Sequence, residues 1–316
     1  RTYIKEDAGK ILVGIFEANS IPAWDKTNKV PEDFSFGEFQ ENFEHFEPYL
    51  SSAIKRFPVL ETAGIRKFFS GPESFTPDTN TLLGEVPEIK NFFVCCGLNS
   101  IGIGSGGGVG KATAEWMING HINEDIFSYD IKRFQKFHSD LGFIKERITE
   151  SLGDLYGMHW PFKQHKTSRN IKTLPHHENL KSFGACFGVS GGYERPMWFA
   201  LDGEKAEYEY SYNFQSWYPS AEYETTNTIK NVGLFDLTPF SKFEIKSDTA
   251  HKELQKICTA NIKNEPGKCV YTHMLNPDGG IEADLIVVCV NKDHFRIISS
   301  ASTRERDKFH IKKYLS

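Results

Sequence analysis

Long hydrophobic runs, basic tracts and CxxC cysteine pairs are all missing from this 316-residue sequence. No apolar run approaches the ~20 residues that a membrane-spanning helix needs, which argues against a transmembrane segment. The net charge is −5 and no Lys/Arg-rich stretch occurs, which argues against nucleic-acid binding and against attachment to a membrane surface. The six cysteines mostly lie in apolar, strand-like runs, so they indicate reduced, buried thiols of an intracellular protein, and no metal site is expected.

Aromatic residues, by contrast, are abundant, with 26 Phe, 12 Tyr and 5 Trp. Together with a hydrophobic share of 39%, they supply ample material for packed cores and exclude a disordered chain. The length predicts about two domains, since one domain typically takes ~100–200 residues. The sequence starts without Met or a signal-peptide pattern and stops in a charged helical stretch, so we expect a fragment that lacks both ends of a longer protein.

Hydrophobic periodicity predicts several elements in the first part of the chain. Strands are predicted at 10–17, 64–69 and 91–97, the last of them buried, and a helix is predicted to begin near Phe43. A glycine-rich loop follows the third strand and leads into a helix at 111–118. The order strand, glycine loop, helix is the first candidate for a functional site.

A second globular unit is predicted to begin near Phe183. It contains a helix at 251–258 and strands at 269–275, 283–290 and 294–301. The turn sequence NPDGG joins the first two of these strands, which predicts a β-hairpin.

The sequence GLNSIGIGSGGGVGK at 97–111 holds seven glycines in fifteen positions. A phosphate-binding P-loop is excluded, because Ser105 and Ala112 stand where its motif requires Gly and Ser/Thr. Three of the glycines match the GxGxxG spacing of a dinucleotide-binding turn, although no convincing second strand follows. Two other interpretations remain open. The N–H groups at the start of the helix can face a ring that becomes anionic on reduction, such as a flavin, or the glycines can simply allow a tight turn.

The stretch from GPESFTPDTN to EWMINGH, residues 71–121, closely resembles the C-terminal part of the flavin domain of dimethylglycine and sarcosine dehydrogenases, which are D-amino-acid-oxidase-like flavoproteins. Farther along, VGLFDLTPFSKFEI and YTHMLNPDGGIEADLIV are similar to the glycine-cleavage T-protein (aminomethyltransferase) domain fused behind it. The resemblance implies an α/β and α+β fold. It assigns 1–125 to the C-terminal part of an FAD-dependent oxidoreductase domain, 126–182 to a connecting helical region, and 183–316 to the N-terminal part of a folate-binding domain.

This resemblance also implies a division of labour between two cofactors. FAD accepts a hydride equivalent from an N-methyl group of dimethylglycine or sarcosine, and tetrahydrofolate captures the one-carbon unit. The implied partners include an electron acceptor, and the implied location is the bacterial cytoplasm or the mitochondrial matrix. Two rival functions stay open: a non-catalytic protein like the regulatory subunit of pyruvate dehydrogenase phosphatase, and a stand-alone aminomethyltransferase.

In this family the loop after the last flavin-domain strand lines the isoalloxazine ring, while the motif for the FAD pyrophosphate is expected upstream of Arg1. Monomeric sarcosine oxidases carry a carboxylate-binding lysine in this loop where Gly104 stands, so the resemblance favours the dehydrogenase branch. Carried over position by position, the flavin-lining residues are Asn99, Ser100, Ile101, Gly102, Ile103 and Gly104.

For the second site, the resemblance assigns catalysis to Asp284, where the family has an aspartate that contacts folate near N10. A carboxylate there can accept a proton or support attack on the iminium carbon. Strand alternation places Glu282 on the same face. Tyr271 and Met274 match positions that line the folate pocket. From the residues alone, Asp284 can instead cap the NPDGG turn, and Tyr271 and Met274 can be ordinary strand residues that face a core.

Overall fold

The computed structural model describes residues 2–122 and 125–315, which fall into two compact units. Neither unit is a continuous stretch of sequence, so the units do not follow simply from the order of motifs. The first unit comprises the residues up to 81, 97–103 and 141–159, and the second comprises 82–96, 104–140 and the chain from 160 onward.

Helices and antiparallel strands are mixed along the chain, which confirms the expected fold class. Of the helices formed by the described residues, none combines the length and the apolarity needed to cross a membrane. In chain order the strands and helices are β1 (Thr2–Asp7), β2 (Lys10–Ile15), α1 (Phe43–Ile54), β3 (Leu82–Glu85), β4 (Phe93–Cys96), α2 (Gly102–Asn119), α3 (Leu141–Leu155), α4 (His177–Ser182), β5 (Ala185–Ser190), β6 (Tyr193–Phe199), α5 (Tyr218–Lys230), β7 (Ser241–Lys246), α6 (Ala250–Ile257), β8 (Cys269–Leu275), β9 (Ile281–Asn291), β10 (His294–Ser299) and α7 (Arg304–Tyr314).

Local rules account for the main elements of the first unit. β1 and β2 form a hairpin, and the two residues of its turn, Ala8 and Gly9, have φ of 51° and 74°, as a two-residue hairpin turn requires. The helix predicted near Phe43 is confirmed, and Asn42 caps it by accepting a hydrogen bond from the backbone N–H of His45 at 3.0 Å. The capping side chain therefore fixes the start of α1.

The strand predicted at 64–69 is wrong. This segment is irregular, and its Phe68 ring packs edge-on against Phe43 and Phe46 of α1, with centroids 6.2 and 5.3 Å apart. Its apolar residues are therefore held by ring packing on a helix, whereas a strand also requires a partner for its backbone.

Helix α2 begins at Gly102, although the sequence predicts a loop as far as 110. Glycine has a low helix propensity, which is why the pattern favours a loop. The residues that follow supply the missing stability, because Ala112 and Trp116 are buried against the second unit's other elements. Tertiary packing thus overrides local propensity, and the glycine-rich stretch becomes the first turns of a helix.

All six cysteines are free thiols. Burial raises the pKa of Cys186 and of Cys258 to about 11, so both thiols stay protonated at neutral pH. The expectation of buried thiols is wrong for half of them, because β4 lies in a two-stranded sheet and β8 is an edge strand, which leaves side chains there uncovered. The exposed cysteines are Cys95, Cys96 and Cys269.

A four-stranded antiparallel sheet in the order β7-β10-β9-β8 forms the centre of the second unit. β8 and β9 make the predicted hairpin, and the side chain of Asn276 closes its turn by accepting hydrogen bonds from the N–H groups of Asp278 and Gly280. A register shift follows Met274, one residue before β8 ends. Turn and register together fix which residues of β9 face each side of the sheet.

One face of this sheet forms the main core of the unit, which α6 and α7 complete. Alternate residues of β9, namely Leu285, Val287 and Cys289, are almost fully buried in it. The intervening residues of the strand are directed to the opposite, open face. This alternation decides which of the predicted site residues can meet a ligand.

Candidate functional site

The turn before helix α2 is fixed by the buried side chain of Asn99. Its Oδ1 accepts a hydrogen bond from the N–H of Thr76 at 2.8 Å, and its Nδ2 donates to the carbonyl of Gly97 at 2.6 Å. Next to it, the hydroxyl of Ser100 donates to Glu73 at 2.9 Å. These two predicted flavin-lining residues therefore hold the shape of the turn with their side chains.

Backbone strain is concentrated at the same turn. Asn99 and Ser100 both have positive φ, 48° and 64°, and a non-glycine residue in this region is uncommon. Two such residues in succession cost free energy that the surrounding hydrogen bonds must offset. Strain of this kind is typical of ligand-binding turns, so its place at the start of α2 supports a functional role.

The first turn of α2 presents backbone donors and two apolar side chains. The N–H groups of Gly102, Ile103 and Gly104 have no acceptor within the helix, because the carbonyl four residues before each of them lies outside it. They also carry the partial positive charge of the helix N-terminus. The side chain of Ile103 is fully exposed and that of Ile101 is 51% exposed. The turn thus combines an apolar surface with donors suited to a negatively charged oxygen.

The glycines of α2 leave a bare backbone surface. A Cβ added at any of five of them meets no atom within 4 Å, so neighbouring protein atoms do not require glycine there. Six glycines in this helix cost about 5 kcal/mol compared with six alanines. Such a cost indicates that another group approaches the backbone closely. The five are Gly104, Gly106, Gly107, Gly108 and Gly110.

These features fit the edge of a flavin. A flat ring can lie against a backbone without side chains, and an oxygen that gains negative charge on reduction can accept hydrogen bonds from the N-terminal turn. The open space beside the first of these glycines, Gly104, would accommodate the ring edge, whereas Gly110 lies six residues farther along the helix. That Asn99 to Gly104 line a flavin stays a prediction.

The open face of the second unit's sheet holds the other predicted site. Tyr271, Ile286 and Ile298 stand opposite one another on three neighbouring strands and form an apolar row. Tyr271 is 60% exposed, and its hydroxyl donates a long hydrogen bond of 3.4 Å to Asp284. His273 is the direct cross-strand partner of Asp284. A carboxylate therefore lies at the end of a flat apolar surface.

Asp284 is free to act there because another residue caps the NPDGG turn. Asn276 makes both side-chain hydrogen bonds within the turn, so the alternative role considered for Asp284 is filled. Glu282, predicted on the same face, is instead bound to Arg306, with Oε2 2.6 Å from the guanidinium. Only one carboxylate of this pair therefore remains available for a ligand.

Met274 lies on the other side of the sheet from Tyr271. Its side chain has no exposed surface and belongs to the hydrophobic core. Three positions separate the two residues, an odd number, so strand alternation directs them to opposite faces. In this structure Met274 has no surface with which to contact folate.

We expect Met274→Ala to lower the free energy of unfolding by about 2–5 kcal/mol, because it leaves a cavity in the core. Tetrahydrofolate affinity of the folded protein should stay unchanged. Tyr271→Ala should do the reverse, with little loss of stability and weaker folate binding. Denaturant unfolding and fluorescence titration of both variants check this, and weaker folate binding by folded Met274→Ala than by Tyr271→Ala would contradict it.

Sequence reasoning missed Ile286 and Ile298, the two isoleucines of the apolar row. Both lie in predicted strands, and alternation from Asp284 already places Ile286 on its face. Ile298 enters the row only through the pairing of β10 with β9. Its role therefore required the sheet order, which no local pattern supplies.

Three family models match almost the whole chain in order. "FAD dependent oxidoreductase" matches residues 1–116, "FAD dependent oxidoreductase central domain" matches 119–173, and "GCVT N-terminal domain" matches 176–316. The chain belongs to the family that fuses these regions. Within this fused family, the expected pairing of an FAD-dependent region with a folate-binding T-protein-like domain is confirmed.

Relatives within the fused family align with almost the whole of this chain. The 4-methylaminobutanoate oxidase (formaldehyde-forming) of Paenarthrobacter nicotinovorans is 38% identical over 98% of this chain and 37% of its own. The mitochondrial pyruvate dehydrogenase phosphatase regulatory subunit of Mus musculus is 34% identical over 100% of this chain and 36% of its own. The mitochondrial sarcosine dehydrogenase of Mus musculus is 35% identical over 90% of this chain and 33% of its own. The chain thus spans about a third of the length of these relatives.

Proposed function

We propose that the protein oxidises an N-methylated amino acid with FAD and passes the one-carbon unit to tetrahydrofolate. Dimethylglycine and sarcosine are the candidate substrates, and an electron acceptor reoxidises the flavin. We assign 1–125 to the flavin domain, 126–182 to the connecting region and 183–316 to the folate domain. We propose the bacterial cytoplasm or the mitochondrial matrix as its location, since the relatives are bacterial and mitochondrial proteins.

The glycine-lined start of α2 is the observation that carries this proposal. FAD, when bound, supplies the chemistry by accepting a hydride equivalent from the N-methyl carbon. The N–H groups of Gly102, Ile103 and Gly104 would stabilise the negative charge that the ring gains. Ile101 and Ile103 would cover the ring with apolar surface and keep water away from it. Asn99 and Ser100 would hold the turn in this shape.

The apolar row on the open sheet face supports the folate step. Tyr271, Ile286 and Ile298 offer a flat surface on which an aromatic cofactor can stack. Asp284 would accept the proton that the folate amine loses as it attacks the iminium carbon, and Tyr271 would orient the carboxylate by its hydrogen bond. Met274 would contribute only by supporting this face from the core.

The relatives widen the possible substrates. The one from Paenarthrobacter nicotinovorans acts on 4-methylaminobutanoate and forms formaldehyde, according to its name. The shared chemistry is oxidation at an N-methyl group of an amino acid, so the length of the carbon chain is the open variable. We retain the glycine derivatives as first candidates because the sarcosine dehydrogenase has comparable identity, 35% against 38%.

A non-catalytic regulatory role is the second candidate. The phosphatase regulatory subunit matches the full length of this chain at 34% identity, which is the observation in its favour. It predicts a folded protein that does not reduce flavin with any N-methyl amino acid.

We expect the full-length protein to purify yellow and to bleach under anaerobic conditions when an N-methylated substrate is added. Reduction transfers two electrons to the ring, so the absorbance of the oxidised flavin disappears in a single turnover. Stopped-flow spectra with dimethylglycine, sarcosine and 4-methylaminobutanoate would rank the substrates by rate. Glycine, which lacks the N-methyl group, is the matched control.

The two functions give opposite results in this experiment. Bleaching with any of the three amines and none with glycine supports the oxidase or dehydrogenase. A well-folded, colourless protein that remains unreactive after incubation with FAD supports the regulatory role.

A further inference from the structure

The C-terminal end of helix α2 is fastened to the β8–β9 hairpin and to α7 by contacts that the proposed chemistry does not use. All of these contacts lie within the second unit. We refer to the residues that make them as the α2 clasp. They are Trp116, Gly120, His121, Asp130 and Lys132 on one side, and Asp278, Glu282, Arg306, Phe309 and Lys313 on the other.

Lys132 is the buried centre of the clasp. Its side chain is 4% exposed, and its Nζ lies 3.1 Å from a carboxylate oxygen of Asp130 and 4.7 and 4.6 Å from the ring centres of Trp116 and Phe309. Burial raises the pKa of the Asp130 carboxyl, and the charge of Lys132 opposes this rise. One cation therefore joins the last turns of α2 to a ring of α7.

Arg306 links α7 to the first residues of β9. Its guanidinium donates to Oε2 of Glu282 through two nitrogens, at 2.6 and 3.2 Å, and lies 3.5 Å from the ring centre of Phe127. Both charged side chains are nearly buried, at 13% and 14% exposure. Glu282 stands two residues before Asp284, so this pair fixes the strand next to the predicted catalytic carboxylate.

The turn of the hairpin is held as well. Nε2 of His121 lies 2.8 Å from a carboxylate oxygen of Asp278, and the amino group of Lys313 donates to the carbonyl of Gly120. The carbonyl of Gly120 lies just beyond the helix, where a cation is favoured by the helix dipole. Three independent contacts thus attach the end of α2 to the hairpin and α7.

Helix α2 spans 18 residues, or about 27 Å. The helix begins at the turn assigned to the flavin and ends at the clasp. Asp284 stands on β9, two residues after Glu282, which belongs to the clasp. Because a hydrogen-bonded hairpin is stiff, the clasp determines where Asp284 lies with respect to the last turns of α2, which belong to the same unit. A misplacement of about 1 Å far from the reacting atoms can slow a step by ~100-fold.

We propose that the α2 clasp sets the fraction of one-carbon units that tetrahydrofolate captures, with Arg306 as its main positioning residue. An iminium carbon that is not captured adds water, which releases formaldehyde, the demethylated amine and a proton. Arg306 is not among the residues assigned to either cofactor. It acts by holding Glu282, and through the strand it positions Asp284. This inference rests on the proposed function and adds a determinant of its product.

Arg306→Lys tests the proposal, because lysine keeps the charge but loses the two-nitrogen contact with Glu282 and the stacking on Phe127. Arg304→Lys is the matched control on the same helix, since Arg304 is 44% exposed and has only looser contacts among those described, 3.8 Å from Glu305 and 5.6 Å from the ring centre of Phe243. In the full-length protein we expect Arg306→Lys to raise the formaldehyde released per flavin reduced about fivefold. The rate of flavin reduction and the affinity for tetrahydrofolate should equal those of the control.

A second measurement does not depend on activity. Hydrogen exchange of backbone amides at 116–122 and 276–284 should become faster in Arg306→Lys and stay unchanged in Arg304→Lys. Asp278→Asn, at a carboxylate that is 59% exposed, provides a milder variant that is expected to fold normally and to shift both readouts in the same direction.

Three results would overturn the proposal. Faster exchange with an unchanged ratio of formaldehyde to methylenetetrahydrofolate would show that the clasp is only structural. Weaker folate binding with an unchanged ratio would make Arg306 a binding residue. Failure of the unmodified protein to reduce flavin or to form methylenetetrahydrofolate would overturn the proposed function, and this inference with it.

Discussion

Replacing Gly104 by alanine is expected to stabilise helix α2 and, at the same time, to weaken the binding of FAD. In the structure a Cβ at this position meets no protein atom within 4 Å, so the substitution gains up to about 1 kcal/mol in helix propensity. A ring lying on the backbone would be displaced by the same methyl group. Overpacking costs ~1–3 kcal/mol, which corresponds to a loss of about 5- to 150-fold in affinity.

Two effects of opposite sign make this experiment informative. Thermal unfolding without cofactor measures the stability, and the ratio of absorbance at the flavin and protein maxima measures the FAD content. Gly110→Ala is the control, because it also lies in open space within α2 but six residues, about 9 Å, farther along the helix. It should give the gain in stability with normal FAD content. Full flavin binding by Gly104→Ala would remove this turn from the flavin site.

Asp284→Asn is expected to leave flavin reduction unchanged and to slow the formation of methylenetetrahydrofolate about 100-fold. The amide retains the shape of the carboxylate and can still accept the hydrogen bond from Tyr271. It cannot take up the proton that folate loses, and general-base catalysis typically contributes 10²–10⁴-fold. The carbon that is not captured should leave as formaldehyde.

Quenched-flow product analysis under single-turnover conditions separates these two steps. Asp293→Asn serves as the control, since Asp293 is a half-exposed carboxylate in the next turn of the same sheet and lies outside the apolar row. Equal rates of methylenetetrahydrofolate formation in Asp284→Asn and the unmodified protein would exclude Asp284 from proton transfer. Slower flavin reduction would instead indicate that the substitution disturbs the fold.

Local patterns were sufficient for the β8–β9 hairpin and for α6. Apolar alternation on both sides of NPDGG defines the hairpin, and the observed strand β8 has the predicted limits, Cys269–Leu275. Helix α6 buries Leu254 and Ile257 on the face that the helical period predicts. In both cases the residues that carry the pattern are the residues that form the core, so sequence and packing agree.

Other features depend on contacts between residues far apart in sequence. The start of α2 at Gly102 follows from packing of Trp116, which no glycine pattern indicates. The ion pair between Arg306 and Glu282 joins residues 24 positions apart, and Arg306 belongs to no recognisable motif. The prediction that both Tyr271 and Met274 line the folate pocket is another case. Strand alternation alone places residues three positions apart on opposite faces of a sheet, so the sequence already argues against it.

Alternate residues of strand β9 are under different constraints, one set for stability and the other for ligand binding. Leu285 and Val287 are buried and stabilise the sheet, while Asp284 and Ile286 face its open side, where we propose that folate binds. Substitutions at the open-face positions therefore carry little risk of unfolding. A sheet with one buried and one open face can change its preferred ligand by single substitutions.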